Sequence, residues 1–367
     1  MENLMNANFK FDDLKSKYRI FSDPKISLMI NKRTFKSKEF IISDMKIELT
    51  SKFEANFVAF SVRGVVDEET RSFKDELRGI FDLGSRIDIS VGYCDELEEV
   101  FTGFISGVTY DLPQKEGFGA LTVQCMDVKG IMMNNNNYVQ QKFRNCSDCV
   151  QNLIEKSQYS NYYGDLVVDR TRDGTKLIEV TNESDYDFLV RIAKKIDYEF
   201  FVSQDTVYFR KARAQNSNMA VLSFGSGIEG LNIAYSILGM VSSVEVRNTD
   251  ANTGELIGGK ARSSASYSEG SSASRIMKSA NKVFLDSTVY SQEEAQRRAE
   301  AKLEDLNWKF GLANLHCVGI PELIPGRFVL VKTPFDDLAK KFYLTDVTHV
   351  IEKGKFVTHV KARLSSL

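Results

Sequence analysis

Proline is scarce in this chain, which has only 5 prolines but 23 glycines among its 367 residues. Turns made from glycine, asparagine and aspartate rather than proline are typical of a strand-rich protein. The sequence has no run of about 18 apolar residues, the length that a membrane-spanning helix needs. Its polar N-terminus also lacks the apolar core of a signal peptide. We therefore expect the chain to be made and kept in the cytoplasm without membrane insertion, unless a larger particle carries it out.

Cysteine and histidine are too few and too scattered to predict a metal or catalytic centre. Of the five cysteines, only Cys146 and Cys149 are close in sequence, and no second pair completes a zinc site. The three histidines, His316, His349 and His359, fall on predicted strands, where a structural role is far commoner than activation of a nucleophile. We expect no metal and no cofactor.

Charge is almost balanced, with 48 Lys and Arg residues against 50 Asp and Glu residues. This balance argues against a general binder of nucleic acid or membrane surfaces. Glycine-rich nucleotide loops, His-Glu-x-x-His and Gly-x-Ser-x-Gly are all absent from the sequence. Nothing positive in the sequence therefore predicts an enzyme, although a pair of carboxylates for glycoside cleavage cannot be recognised from spacing alone.

The clearest β pattern begins at Gly84. Residues 86–93 alternate between apolar and polar side chains, so the apolar ones share one face of a strand. This strand ends in Gly92 and Tyr93, and an acidic loop, residues 94–99, turns the chain back. The pattern predicts a hairpin with one buried and one wet face.

Two further strands continue this predicted sheet. Gly103 lies inside the first of them, between Phe101 and Ile105. A glycine in a strand permits a bulge or a barrel bend. The second strand ends in Cys125 and, two residues later, Asp127. We expect these strands to form part of a β-barrel.

A change of periodicity in the middle of the chain predicts an α/β insert. Its best-defined helix begins after Ser184, whose hydroxyl suits the N-cap position, with Asp187 at the third helical position. Asp185 and Asp187 point to different sides of a helix, which favours capping over shared proton chemistry. Phe188 and Leu189 begin the buried stripe of this helix.

Two more helices are predicted from their spacing and caps. Apolar side chains recur at helical spacing in residues 69–81, and we expect this helix to cap one end of a barrel. A second helix spans residues 292–310. Ser291 and Glu294 form its capping box, and Gly311 ends it.

Serine, glycine and alanine dominate residues 248–281. Such a stretch cannot offset its ordering entropy by burial, so we expect a long mobile surface loop.

Farther on, Pro325 and Gly326 lead into an apolar strand. A two-residue turn at Lys353 and Gly354 predicts three cross-strand pairs in the last hairpin: Val347 with Val360, His349 with Thr358, and Ile351 with Phe356.

In this order, the motifs resemble the phage late control protein D family. The residues that carry the resemblance are Gly84, Gly92, Tyr93, Phe101, Gly103, Ile105, Cys125, Asp127, Ser184, Asp185, Asp187, Phe188, Leu189, Pro325 and Gly326. That family forms the baseplate hub of contractile phage tails, phage-tail-like bacteriocins, and type VI and extracellular injection systems. The resemblance implies a mainly β (α+β) fold with two tail-tube-like β-barrels, residues 1–133 and 219–367, and an α/β insert, residues 134–218.

The resemblance also implies a structural role rather than an enzymatic one. A homotrimer would present six similar barrels, adapt a six-fold tail tube to a three-fold spike, and nucleate the tube. The implied partners are a tail tube or tube-initiator protein, a spike protein and other baseplate (wedge) proteins. Because the chain ends directly after the last barrel strand, we expect the spike and any wall-degrading enzyme to be separate proteins. Two alternatives stay open: a receptor-binding tail protein and a tail-associated peptidoglycan hydrolase.

Overall fold

A computed structural model describes most of the chain and shows a mainly β protein, as expected. The described residues are 3–36, 41–65, 79–111, 119–136, 139–143, 145–171, 176–180, 183–250, 253–263, 271–334 and 339–365. None of the helices within these ranges is long and apolar enough to cross a membrane.

The secondary-structure elements follow in three parts of the chain. The N-terminal part contains β1 (Phe9–Lys10), α1 (Phe11–Lys17), β2 (Pro24–Ile30), β3 (Arg33–Lys36), β4 (Ile41–Thr50), β5 (Phe57–Arg63), β6 (Arg86–Tyr93), β7 (Glu96–Asp111) and β8 (Ala120–Met126). The middle part contains α2 (Lys129–Met133), β9 (Val139–Phe143), α3 (Cys146–Ile154), a 3-10 helix (Ser160–Tyr162), β10 (Asp165–Val168), β11 (Lys176–Val180), α4 (Asp185–Ile196), β12 (Tyr198–Ser203) and β13 (Thr206–Lys211). The C-terminal part contains β14 (Asn218–Phe224), β15 (Gly227–Tyr235), β16 (Ser243–Thr249), β17 (Leu256–Arg262), α5 (Ser271–Ser279), β18 (Asn281–Leu285), α6 (Gln292–Asn307), β19 (Gly311–Val318), β20 (Phe328–Lys332), β21 (Lys340–Glu352) and β22 (Lys355–Leu364).

One five-strand pattern occurs twice in this chain. We name strands β2 to β8 the N-terminal β-unit, and strands β14, β15 and β19 to β22 the C-terminal β-unit. Neighbouring strands run β4-β5-β8-β7-β6 in the first and β15-β19-β22-β21-β20 in the second. Every neighbouring pair is antiparallel in both. In each unit these five strands, numbered in chain order, lie side by side in the order first, second, fifth, fourth, third.

The two β-units share one continuous sheet. β14 closes the C-terminal β-unit into a barrel by pairing with β20 on one side and β15 on the other. In the N-terminal β-unit, β2 pairs with β6, and β3 extends the sheet beside β2. β21 pairs with β4 from Asp346 opposite Thr50 to Glu352 opposite Asp44, which joins the units edge to edge. A single apolar core extends through both.

The middle part forms a separate layer, the insert (residues 139–211). Its sheet β10-β13-β12 and helices α3 and α4 enclose their own apolar core, which includes Val150, Phe188 and Phe209. A further small sheet, β17-β16-β18, packs on α6 through another apolar cluster. The described residues therefore form one large β core, two smaller cores beside it, and a minor cluster of Met240, Met277 and Phe310.

The stretch predicted to be a mobile loop is partly regular structure. Leu256–Arg262 form β17 and Ser271–Ser279 form α5, while residues 264–270 lie outside the described residues. Ile257 and Ala261 of β17 are buried in the cluster beneath α6. The loop prediction was wrong for this strand because a distant helix supplies the burial that offsets its ordering entropy.

The other helix predictions have mixed outcomes. α6 begins after Ser291, whose Oγ accepts the Glu294 amide at 3.1 Å, as the capping box predicts. This helix ends at Asn307, slightly before the predicted end at Phe310. The helix predicted at residues 69–81 falls largely on residues 66–78, which lie outside the described residues.

The register of the last hairpin is confirmed. His349 lies opposite Thr358, and the other two predicted pairs also form. Lys353 and Gly354 have φ angles of 51° and 74°, the left-handed pair that a type I′ turn requires. His349 is fully buried, whereas His359 is partly exposed and faces His316 across the β19–β22 pair. The histidines on this hairpin therefore lie on opposite faces, as expected.

Candidate functional site

The β12–β13 hairpin places the insert against both β-units, and buried polar side chains fill this contact. We name this set the insert junction. Its members are the side chains of Asn56, Asp127, Lys129, Glu199, Gln204, Arg210 and Tyr343 together with the backbone carbonyl of Gly326, and all of these residues are buried. Because buried polar groups must find hydrogen-bond partners, this set fixes how the three parts of the chain fit together.

Arg210 on β13 joins the insert to the C-terminal β-unit. Its Nε and Nη2 both donate to Glu199 Oε2 at 3.3 Å, and Nη2 also donates to the Gly326 carbonyl at 2.6 Å. The Tyr343 hydroxyl of β21 donates to the other oxygen of Glu199. Burial lowers the pKa of Arg210, but Tyr343 and Glu199 outweigh it and the pKa is raised, so the guanidinium stays charged.

Gly326 occupies a position that requires glycine. Its φ is 85°, and a Cβ there would lie 2.9 Å from Phe201 Cζ and 3.0 Å from Arg210 Nη2. Its amide donates to the Leu344 carbonyl at 2.9 Å. Together with the buried Pro325 before it, Gly326 turns the chain into β20 and presents its carbonyl to the insert.

Asp127 makes the corresponding connection in the N-terminal β-unit. Its Oδ2 accepts the Asn56 amide at 2.8 Å, and its Oδ1 accepts the Lys129 amide at 2.9 Å. The Asn56 side chain then donates to the Val202 carbonyl of the insert at 2.8 Å. Lys129 Nζ lies 3.7 Å from Asp127 Oδ2, and both side chains are fully buried. Asp127 therefore positions Asn56, which makes the contact with the insert.

Gln204, at the tip of the β12–β13 hairpin, contacts two separate segments. Its Nε2 donates to the Glu99 carbonyl at 3.2 Å, and its Oε1 accepts the Leu4 amide at 3.0 Å. Its backbone also forms a parallel bridge with Phe101 of β7. The hairpin tip is thus held by the N-terminal β-unit and by the start of the chain.

The cap of α4 forms as the sequence predicts. Ser184 Oγ accepts the Asp187 amide at 3.0 Å and donates to the Asp187 carboxylate at 2.7 Å. Asp185 is fully buried, and its Oδ2 accepts from Lys156 Nζ at 2.7 Å and from the Tyr159 hydroxyl at 2.5 Å. The two carboxylates therefore have separate partners and share no proton.

The remaining motif residues lie away from the insert junction. Tyr93 is buried and donates to the Gly319 carbonyl at 2.8 Å, which links the two β-units. At Gly92 and Gly103 a Cβ would come within 2.1 Å of a backbone oxygen on the neighbouring strand. The others are Gly84 before β6 with φ of 81°, Ile105 at a bulge of β7, Cys125 in the β core, and Phe188 and Leu189 in the insert core. The motifs thus mark several structural positions rather than one cluster.

Sequence reasoning missed most of the insert junction. Asn56, Gln204 and Tyr343 have no local pattern that distinguishes them. Glu199 and Arg210 do have one, because each is a charged residue within an otherwise largely apolar strand whose side chains are buried on both faces. A charge in such a strand indicates a buried partner.

A second buried cluster ties the start of the chain to the C-terminal β-unit. Arg327, fully buried, donates from Nη1 to the Leu4 and Met5 carbonyls at 2.8 and 2.5 Å. Its Nη2 donates to Asn8 Oδ1 at 3.2 Å and to Ser217 Oγ at 3.3 Å. Burial, reinforced by the nearby charge of Arg210, lowers the pKa of Arg327 to about 10.

Helix α1 is held across both β-units in a similar way. Lys17 Nζ donates to Glu98 at 2.5 Å and to Glu322 at 3.0 Å, and the Tyr18 hydroxyl donates to Glu322 at 2.6 Å. Glu98 belongs to β7, whereas Glu322 precedes β20. The C-terminal end of α1 therefore joins the two β-units through these hydrogen bonds.

Across the described ranges, no three His, Cys, Asp or Glu side chains converge to hold a metal ion. Burial raises the pKa of the Cys317 thiol to about 12, so it stays protonated at neutral pH. A groove of about 720 Å³ lies where the two β-units meet, lined among others by Glu48, Glu54, His316 and His359.

Solved structures with a similar fold include three bacterial or prophage proteins. The 43 kDa tail protein of prophage MuSo2 from Shewanella oneidensis has a TM-score of 0.70 at 13% identity, over 92% of this chain and 98% of that chain. The tail protein from Neisseria meningitidis MC58 has a TM-score of 0.67 at 14% identity, over 93% and 97% of the two chains. The third, an Escherichia coli component of the type VI secretion system described as similar to the T4 bacteriophage tail proteins gp27 and gp5, has a TM-score of 0.58 at 12% identity, over 88% and 73%.

These likenesses establish a shared fold across nearly the whole chain. No curated protein sequence matches this one. A family model described as the Alg8 N-terminal domain matches residues 47–353, which is well over half of the chain. The chain belongs to the Alg8 N-terminal domain family.

Proposed function

We propose that this chain is a structural component of a tail or baseplate-like particle, and specifically the trimeric hub that joins a six-fold tail tube to a three-fold spike. This role matches the one implied by the resemblance to the late control protein D family. The observation that carries the proposal is the repeated five-strand order on either side of the β4–β21 pair. The likeness in fold to tail proteins supports it as well.

The repeat provides a physical route from three copies to six units. Three chains arranged around an axis present six similar β-units, so a three-fold assembly can meet a six-fold ring. This match requires that the two β-units keep a fixed position and orientation relative to each other within each chain. The β4–β21 hydrogen bonds and the insert junction supply that relation, because both units are bonded to the same insert.

In this role the chain acts by contact and makes or breaks no bond. Its partners are the tail tube or tube-initiator protein, a spike protein and the other baseplate proteins, in a particle assembled inside the bacterial cell. The Escherichia coli neighbour belongs to a type VI secretion system, which supports a place in a contractile system of this kind.

The position of the chain in its own particle tests this proposal. Gold-labelled antibody against the chain, imaged on purified particles by electron microscopy, should bind on the axis between tube and spike. Particles with this chain deleted serve as the control, and they should lack tubes as well as label. Label at the fibre tips together with loss of cell binding would instead indicate a receptor-binding protein. Loss of wall lysis, with particle assembly intact, would indicate a hydrolase.

A further inference from the structure

The small sheet β17-β16-β18 has two edges, and the edge on β17 is closed by side chains. Gln292 Oε1 accepts the Gly258 amide at 2.8 Å, and its Nε2 donates to the Leu256 carbonyl at 3.2 Å. Gln296 Oε1 accepts the Lys260 amide at 3.0 Å. Both glutamines lie on α6, so the helix occupies the hydrogen-bonding groups that another strand would need.

The opposite edge, on β18, is open. Within the described part of the chain, β18 (Asn281–Leu285) pairs only with β16, and no side chain bonds to its outer edge. Native proteins protect such an edge against self-pairing with a short strand, a lysine, a proline or a bulge, and β18 has a lysine, Lys282. One face of β18 also carries two exposed apolar side chains, Val283 at 55% and Leu285 at 85% exposure.

The other face of β18 is positively charged. Lys282 is exposed, and Lys302 of α6 places its Nζ 4.6 Å from the centre of the Phe284 ring. Two carboxylates close to β18 in the sheet or the sequence are paired within the chain: Glu245, which lies opposite Val283 on β16, with Arg247 at 2.6 Å, and Asp286, directly after β18, with Arg298. An arriving strand would therefore meet apolar side chains on one face and lysines on the other.

We propose that the β18 edge binds an extended segment of a partner protein, and that this segment alternates apolar and acidic residues. Successive side chains of a strand point to opposite faces. The apolar ones would cover Val283 and Leu285, and the carboxylates would lie beside Lys282 and Lys302. The added strand would form main-chain hydrogen bonds with β18, which is the β-augmentation mode of recognition. This site is separate from the hub role and does not depend on it.

Charge disfavours a second copy of the chain as the occupant. Pairing two β18 edges would bring Lys282 and Lys302 of both copies close together on one face, and like charges at cross-strand positions are destabilising. The β17 edge of a second copy is closed by its own glutamines. A different chain that alternates apolar and acidic residues would complement both faces of β18, with its apolar side chains on Val283 and Leu285 and its carboxylates beside Lys282 and Lys302.

Two designed peptides test the site on the full-length protein. The first is an acetylated seven-residue peptide that alternates valine and glutamate, and the second alternates valine and lysine. Hydrogen–deuterium exchange of residues 281–285 should slow about tenfold with the first peptide and stay unchanged with the second. Equal protection by both peptides, or protection by neither, would overturn the proposal.

A matched pair of variants locates the binding. Leu285→Glu should weaken binding of the valine–glutamate peptide at least tenfold by calorimetry, because it places a charged carboxylate on the face that the peptide's valine side chains would cover. Leu238→Glu is the control, since Leu238 is 84% exposed but lies in the loop before β16. Equal affinity of the two variants would contradict the site. Concentration-dependent self-association that only Leu285→Glu abolishes would identify a second copy as the occupant and also overturn the proposal.

Discussion

Arg210 Nη2 donates a 2.6 Å hydrogen bond to the carbonyl of Gly326, across the contact between the insert and the C-terminal β-unit. The two residues lie 116 positions apart in the sequence. Gly326 was predicted as part of a motif, whereas Arg210 had no predicted role. Their contact explains why a glycine is needed there, since the guanidinium and the Phe201 ring occupy the space that a side chain would take.

Crowding at Gly326 should make Gly326→Ala more destabilising than Gly354→Ala. Both glycines have a left-handed φ, which costs an alanine about 1–2 kcal/mol. Only at Gly326 would the new Cβ also crowd its neighbours, at a further cost of roughly 1–3 kcal/mol, because Gly354 has no atom within 4 Å of that position. Urea unfolding of the two variants measures the difference. Equal losses would show that the contact with the insert is looser than described.

The Arg210–Glu199 pair should behave as a coupled unit. Arg210→Met leaves the Glu199 carboxylate buried without its cation and should cost about 3–5 kcal/mol in the free energy of unfolding. Adding Glu199→Gln should recover part of this loss, because the second change removes the unpaired charge. Urea unfolding of both single variants and the double variant completes the cycle. Additive losses would contradict the coupling.

His349 should make the protein sensitive to acid. His349 Nδ1 lies 3.0 Å from Thr358 Oγ1, within hydrogen-bond distance, and Thr358 Oγ1 also accepts the Ile320 amide at 3.0 Å. Burial lowers the pKa of His349 to about 3. The unfolded histidine has a pKa of about 6.5, so between these values the unfolded chain binds one more proton than the folded chain.

This proton difference should cost about 1.4 kcal/mol of stability for each pH unit below 6.5, down to about pH 3. His349→Gln should flatten that part of the pH profile, measured as the urea midpoint at successive pH values. His316→Gln is the control, because His316 is exposed. An unchanged slope in His349→Gln would show that other groups cause the acid sensitivity.

Glu99 should have the opposite effect, lowering the stability of the fold as the pH rises from 4.5 to 7. Burial, followed by the charges of Asp88 and Asp205, raises the pKa of the Glu99 carboxyl to about 7. The folded chain therefore keeps a proton that the unfolded chain releases near pH 4.5, and stability falls as the pH rises from 4.5 to 7. Glu99→Gln should be more stable than the unmodified chain by about 1–3 kcal/mol at pH 8 and nearly equal to it at pH 4. A variant that is less stable at pH 8 would contradict this account.

Local patterns predicted local structure well. The cap at Ser184 and the register of the last hairpin follow from residues within a few positions of each other, and both are confirmed. The insert junction could not be predicted in this way, because Asn56 meets Val202 across 146 residues. Composition also failed at β17, since it contains no information about the helix that covers Ile257 and Ala261.

The central claim is that three copies of this chain form a ring of six similar β-units. Native mass spectrometry of the purified full-length chain, with single-particle images of the same sample, tests it most directly. The account predicts a particle of three times the chain mass of 41.5 kDa that shows six lobes around a three-fold axis. A chain that stays monomeric and forms no ring, even after its tube and spike proteins are added, would contradict the hub role.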